Sequence, residues 1–298
     1  MNRVTKRTWL MGLFLAVLLG GMVVFAIEYV ANAGTWITAP GSPHVYNRGN
    51  LGCGTVVDRS GNVLLDMTNG RTYSTDPQTR KSTLHWVGDR YGSISAGAVS
   101  KYSSALAGFD LVNGVYNGDS GGGVEHLTLS TRVQNAALTT MYGRKGTIAV
   151  YNYKTGEILC AVTTPTYDPD NVPDFQADTT GAYKGVYLNR FLQATYPPGS
   201  IYKVVTCAAA LDCVPDIESR TFTCNGKYTY GTEAITCERA HGTCSLKQAL
   251  AVSCNCAMAQ LSELVGRKNM QKYVEQFQVN QRIRFDGVAT AAGNYDIS

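Results

Sequence analysis

The chain has 298 residues, of which 44% are hydrophobic and 18 are tyrosines. That length holds about two ordinary domains, and the aromatic content excludes a disordered chain. Only 16% of residues are charged, the formal net charge is +4, and no basic stripe occurs beyond residues 1–7, which excludes a nucleic-acid binder.

Arg3, Lys6 and Arg7 precede an uncharged apolar run at residues 9–27. As a helix the run spans about 28 Å, close to a hydrocarbon core of roughly 30 Å. It predicts a transmembrane anchor over residues 8–30. The basic tail, residues 1–7, stays in the cytoplasm and everything after the anchor lies outside. A cleaved signal peptide is the competing reading, with small residues at 31–33. Its apolar region would be shorter, about 7–15 residues.

Residues 34–50 read as a polar linker over the membrane surface. GTVVDRSGNVLL (54–65) reads as a hairpin turning at Arg59-Ser60-Gly61-Asn62. Residues 66–125 are Gly-rich with no long helical period, and 113–123 read as a flexible loop. Residues 127–129 are strand-like, and an amphipathic helix follows, ending at Gly143. GTIAVYNYKTGEILCAVTTP reads as a second hairpin turning at Lys154-Thr155-Gly156. Residues 164–185 form an irregular loop. IYKVVTCAAALDCV is apolar on most faces, which predicts a buried helix. Ser245-Leu246-Lys247-Gln248 is a capping box opening a helix that stops at Ser253-Cys254-Asn255 and resumes to Gly266.

The nine cysteines are an odd number, so at least one is free or paired elsewhere. Cys160 and Cys207 sit in apolar runs and read as core. Cys224 and Cys237 flank a polar stretch and can close a disulfide outside the membrane. Cys224, Cys237, His241 and Cys244 are an alternative zinc set, although the spacing lacks a C-x-x-C knuckle.

The chemistry concentrates in Ser200-Ile201-Tyr202-Lys203. At i and i+3 on a helix, the hydroxyl and the amine share a face. Unpaired N–H groups of the first turn point toward a developing oxyanion. Burial among apolar side chains disfavours the charged ammonium, and a neutral amine beside a hydroxyl is a base beside its nucleophile. Ser253 and Asn255, in the interhelical turn, can converge on the same cleft. Ser253 would relay a proton and Asn255 would bond a substrate amide.

S-x-x-K followed by S-x-N resembles the penicillin-binding and active-site serine β-lactamase superfamily. NRFLQATYPPGSIYKVV (189–205) is similar to the nucleophile region of class B penicillin-binding proteins. TIAVYNYKTGEILCAVTTPTYDP resembles their opening hairpin, CERAHGTCSLKQALAVSCNCAMAQL their second motif, and GTVVDRSGNVL the start of their membrane-proximal domain. The likeness covers most of residues 54–266. It implies Ser200 as the acylated nucleophile and Lys203 as its base, with Ser253 and Asn255 lining the cleft.

Two look-alikes are set aside. Lys154-Thr155-Gly156 spells the family's third motif but precedes the nucleophile, and reads as a hairpin turn. Gly118-Asp119-Ser120-Gly121-Gly122 spells a chymotrypsin-like nucleophile segment, but neither His44 nor His85 has the context that chemistry needs. Of the 43 residues after Asn255, none spells K-T-G or K-S-G. By the resemblance, the strand that carries this motif supplies half the oxyanion hole, so the chain is expected to stop inside its transpeptidase domain.

The expected fold class is α/β in the broad, α+β sense: a transmembrane helix, a β-rich pedestal, then an incomplete transpeptidase domain of antiparallel sheet, flanking helices and a helical subdomain. The expected divisions are 1–7, 8–30, 31–143 and 144–298. The resemblance implies a membrane-bound peptidoglycan D,D-transpeptidase acting on D-Ala–D-Ala stem peptides and trapped by β-lactams. It needs no cofactor and no metal, and its partner is a membrane glycan polymerase of the SEDS type. The alternatives are a β-lactam sensor or serine β-lactamase, and a non-catalytic membrane-anchored scaffold of a cell-wall complex.

Overall fold

One helix, α1 (Asn2–Ile37), absorbs the apolar run and continues past it. It is long and apolar enough to cross a membrane, and its most apolar window is wholly exposed. The computed structural model describes residues 2–39, 42, 46–47, 50–95, 97–112, 114–115 and 122–295. Residues 34–37, expected as linker, are therefore helical. The cause is local packing against the short helix Ser103–Leu106. Ala33 is buried, and a Cβ on Gly34 would sit 2.3 Å from Ser104 Oγ, so glycine permits the approach. Thr38 Oγ1 donates to Gly34 O at 2.7 Å and accepts from Ser103 Oγ at 3.1 Å. Most of the remaining linker, and the Gly118–Gly121 part of the protease look-alike, lie outside the described residues.

β1 (Thr55–Val57) and β2 (Val63–Asp66) pair antiparallel around the expected turn. Asp58, 1% exposed, builds that turn. Its carboxylate accepts from Ser60 N and Asn62 N at 2.8 and 2.9 Å and from Thr131 Oγ1 at 2.8 Å. Burial pushes this carboxyl up, but the donors outweigh it and hold the group below the usual carboxylate range. β3 (Thr72–Tyr73) and β4 (Val124–His126) complete a four-stranded sheet in the order β3-β2-β1-β4, with β4 parallel to β1. The strand expected at 127–129 thus lies three residues earlier, and beyond its end Leu127 N still donates to Val57 O at 2.9 Å and Arg59 N to Leu129 O at 3.0 Å.

The stretch 66–125 also hides a helix that hydrophobic periodicity does not show. α2 (Pro77–Val87) is capped by Asp76, which accepts from Gln78 N and Thr79 N, has Pro77 in its first turn and ends at Gly88 with φ 80°. Those are ordinary start and stop signals. Its buried face includes Thr79, Ser82 and Thr83, so the apolar stripe is broken by hydroxyls.

α3 (Thr131–Thr140) leads to β5 (Gly146–Tyr151) and β6 (Ile158–Thr164), the second expected hairpin, with Lys154-Thr155-Gly156 in its connection. Trp86 Nε1 donates to Ala161 O at 2.7 Å. Gln134, fully buried, donates to Ser82 O and accepts from Ala161 N at 3.2 and 3.0 Å. These bonds fasten the hairpin to α2 and α3. The chain forms two compact units, Met1–Phe191 and Leu192–Ser298.

His85 closes the first unit and provides a test of it. Its ring is 2% exposed and its Nε2 pairs with Val186 O at 2.8 Å. Burial lowers its pKa to about 4. Protonation is therefore resisted in the folded state more than in the unfolded chain, whose imidazole titrates near 6.5. The associated stability is complete above about pH 6.5 and is lost as pH falls toward 4, by ~3 kcal/mol in all. Denaturant melts at pH 7 and 4.5 should show a smaller acid loss in His85→Gln than in wild type. Equal acid losses would contradict this assignment.

In the second unit, the 3₁₀ turn Gly199–Tyr202 leads into α4 (Lys203–Cys213). β7 (Thr221–Cys224) pairs with β10 (Gly242–Ser245), and between them β8 (Lys227–Tyr230) pairs with β9 (Glu233–Thr236). α5 (Leu246–Ala251) starts at the expected capping box. α6 (Asn255–Gln276) follows, with Gly266 at φ 73° breaking the helix where the sequence placed its end. Ala209 and Ala210 of α4 and Ala257 of α6 are buried in one core with Leu261 and Phe222. α4 is buried on one face only: Val204 and Leu211 are 55% and 52% exposed. Its uniform apolarity overstated its burial, since the buried stripe carries Lys203, Val205, Thr206, Cys207, Ala209 and Ala210 and no more.

Candidate active site

Gly199, at φ +56°, turns the chain out of Pro197-Pro198 and presents Ser200 on an exposed 3₁₀ turn. The α-helix begins three residues later than expected, at Lys203. The N–H of Lys203 is already spent on Ile201 O and Ser200 O, so the first helical donor is not free for an oxyanion.

Lys203 is 9% exposed despite its charge. Its Nζ donates to Ser253 O at 2.6 Å, Ser253 Oγ at 2.7 Å and Asn255 Oδ1 at 2.7 Å. Ser253 Oγ donates to Ser200 Oγ at 3.0 Å. Ser200 and Lys203 are thus joined through Ser253, where the sequence suggested a direct meeting. Ser253 is held at φ +55°, a left-handed conformation that costs a non-glycine residue about 1–3 kcal/mol. Asn255 Nδ2 donates to Thr236 O at 2.9 Å. Its amide therefore positions Lys203 at one end and grips β9 at the other, whereas the sequence assigned it to a substrate amide.

Three acceptors around one amine saturate an ammonium. Moving the Ser200 proton through Ser253 to Nζ requires the amine to arrive neutral, donating two bonds and accepting the third. An open groove of about 840 Å³ adjoins this cluster, lined by Gly199, Tyr202, Lys203, Tyr228, Tyr230 and Asn255 among others. Tyr202 stacks on Tyr295 at 5.4 Å between ring centroids.

All nine cysteines are free, so the expected Cys224–Cys237 disulfide is not formed. Their sulfurs instead belong to a cluster with His241 and Cys254, all ligand atoms lying within 4.8 Å of one another. Cys244, in the zinc set read from the sequence, is replaced there by Cys254. Cys244, on β10, pairs with Phe222 of β7, whereas Cys224 pairs with Gly242. Two residues along a strand displace Cys244 by about 6.6 Å.

The penicillin binding protein transpeptidase domain profile matches residues 146–298, half of the chain. The chain belongs to that family. One relative, the peptidoglycan D,D-transpeptidase PbpA of Mycolicibacterium smegmatis, is 30% identical over 179 residues, 53% of this chain and 36% of its own. The chain therefore spans about a third of that relative's length. Among solved penicillin-binding proteins, Pseudomonas aeruginosa PBP2 in complex with WCK 5153 matches with a TM-score of 0.66 at 25% identity, over 82% of this chain and 59% of that one. The penicillin G acyl-enzyme complex of penicillin-binding protein A from M. tuberculosis matches with a TM-score of 0.64 at 25% identity, over 80% and 62%. Both likenesses agree with the mixed α/β architecture.

Proposed function

We propose that this penicillin-binding protein is a class B peptidoglycan D,D-transpeptidase whose nucleophile is Ser200. The carrying observation is the hydrogen-bonded chain Ser200–Ser253–Lys203–Asn255 at the edge of an open groove. Ser200 Oγ attacks the carbonyl between the two D-alanines of a stem peptide, and its proton passes through Ser253 to Lys203 Nζ. The C–N bond breaks and the proton goes to the departing amine, releasing D-alanine. A second stem's amine then attacks the ester, gives up a proton, and returns the hydroxyl to Ser200. A β-lactam opens at the same serine, but its amine stays tethered, so the acyl-enzyme persists. No cofactor enters these steps.

Residues 1–7 are cytoplasmic, 8–30 are the anchor, 31–143 are the membrane-proximal part and 144–298 belong to the transpeptidase domain. A membrane glycan polymerase of the SEDS type supplies the strands to be joined. The basic residues before α1 support this orientation. Reporters fused beyond α1 should be active only if they function outside the membrane, and cytoplasmic activity would overturn the topology.

The test of function is covalent. The protein expressed in full from its gene should take up fluorescent penicillin, and peptide mass mapping should place the adduct on Ser200. An adduct confined to other residues would overturn the proposal.

A further inference from the structure

Four side chains of metal-ligand type converge behind the Ser253–Asn255 turn. Cys224 ends β7, Cys237 follows β9, His241 precedes β10, and Cys254 lies between Ser253 and Asn255. Cys224 and Cys254 are fully buried. Cys224 Sγ is 3.5 Å from His241 Nδ1, and Cys237 Sγ is 3.8 Å from Cys254 Sγ. A tetrahedral zinc ion with Zn–S about 2.3 Å and Zn–N about 2.0 Å spaces its ligands about 3.8 Å apart for S···S and about 3.5 Å for S···N. Both separations equal tetrahedral edges. A disulfide would need its sulfurs at about 2.05 Å.

The surrounding backbone is arranged for thiolates. Cys256 N donates to Cys237 Sγ at 3.4 Å and Ala257 N to Cys254 Sγ at 3.3 Å. Such donors orient a sulfur ligand and offset its negative charge. The frame is equally fixed: His241 N donates to Cys224 O at 3.1 Å and Cys237 N to Gly226 O at 2.9 Å. Cys256 is the nearest competitor, its sulfur 3.5 Å from Cys237 Sγ, but its thiol is directed to Ile235 O at 3.7 Å.

We propose that Cys224, Cys237, His241 and Cys254 form a structural zinc site. Three thiolates and one imidazole suit a mononuclear tetrahedral Zn²⁺. Binding displaces three thiol protons to solvent and changes no oxidation state. The ion would tie the β7–β10 arm to the turn that carries Ser253 and Asn255. Ser253 keeps its left-handed backbone beside a ligated Cys254, and Asn255 keeps its bond to Thr236, the neighbour of Cys237. The metal is thus a positioning device with no part in bond making. The proposal goes beyond the transpeptidase reading, and metal content tests it without reference to acylation.

The full protein, purified without chelator, should contain one zinc per chain by plasma mass spectrometry. After removal of zinc under reducing conditions, cobalt(II) should restore one equivalent with the visible absorption of a tetrahedral thiolate site. Losing a supporting contact already lowers metal affinity 10–100-fold. Cys224→Ser and His241→Ala should therefore lower zinc affinity by at least about 100-fold, while Cys213→Ser should retain it. Should the variants fail to fold, the cobalt titration of the wild-type protein still decides. Absence of bound zinc together with absence of the cobalt spectrum would overturn the site. So would unchanged affinity in folded Cys224→Ser and His241→Ala.

Discussion

Ser200→Ala should abolish covalent labelling by penicillin while leaving the protein folded. In the proposed mechanism Oγ becomes the ester oxygen, and alanine has nothing to put there. In serine hydrolases the loss of the nucleophile costs about 10⁶ in rate, far beyond the detection limit of a gel assay. Ser253 Oγ lies 3.0 Å away and is bonded to Lys203 Nζ at 2.7 Å, so any residual adduct is to be mapped against Ser253 first. Ser200 is exposed, so its removal opens no cavity, and the melting temperature should shift by no more than about 2 °C. Labelling of the variant at the wild-type rate would show that another residue is acylated.

The pieces of this site were legible in the sequence because each carries a local signal. A Gly turn before S-x-x-K and a capping box before S-x-N can be read within ten residues. Their mutual geometry was not legible. Whether Lys203 turns to Ser200, three residues away, or to Ser253, fifty residues away, depends on how α4 packs on α6, and only tertiary contacts fix that. The cysteines repeat the lesson. Cys244 is closer in sequence to His241 than Cys254 is, yet the β7–β10 register sets it two residues along the strand from the partner of Cys224, while Cys254 caps α6 beside the cluster. Fold signals failed where polar residues are buried. α2 buries Thr79, Ser82, Thr83 and His85, so periodicity alone could not find it, although Asp76-Pro77 and Gly88 mark both ends. Gln134 has the same effect at the hairpin: one buried amide joins α2, α3 and β6.

The four-residue chain also explains why an ammonium-bearing side chain is tolerated at 9% exposure. Every proton on Nζ has an acceptor, and two of the three acceptors come from the turn at Ser253. In the proposed mechanism Lys203 has two duties, holding that turn and taking a proton, and substitutions can separate them.

Lys203→Ala should slow acylation by about 10²–10⁴, the usual contribution of a positioned general base. It also strips Ser253 O and Asn255 Oδ1 of their donor, so some loss of order at the turn is expected with it. Lys203→Arg distinguishes the two duties. A guanidinium retains donors for the same carbonyl, hydroxyl and amide oxygens, but it stays protonated at any pH at which the protein folds and cannot accept a proton. Arginine should thus recover much of the stability lost in the alanine variant and almost none of the rate. The pH profile supplies the second readout. If Lys203 is the base, acylation by wild type should level off once the amine is neutral, whereas the slow rate of Lys203→Ala should keep climbing with hydroxide. An arginine variant that acylates within a few fold of wild type would reduce Lys203 to a structural cation and leave Ser200 to be activated by some other group.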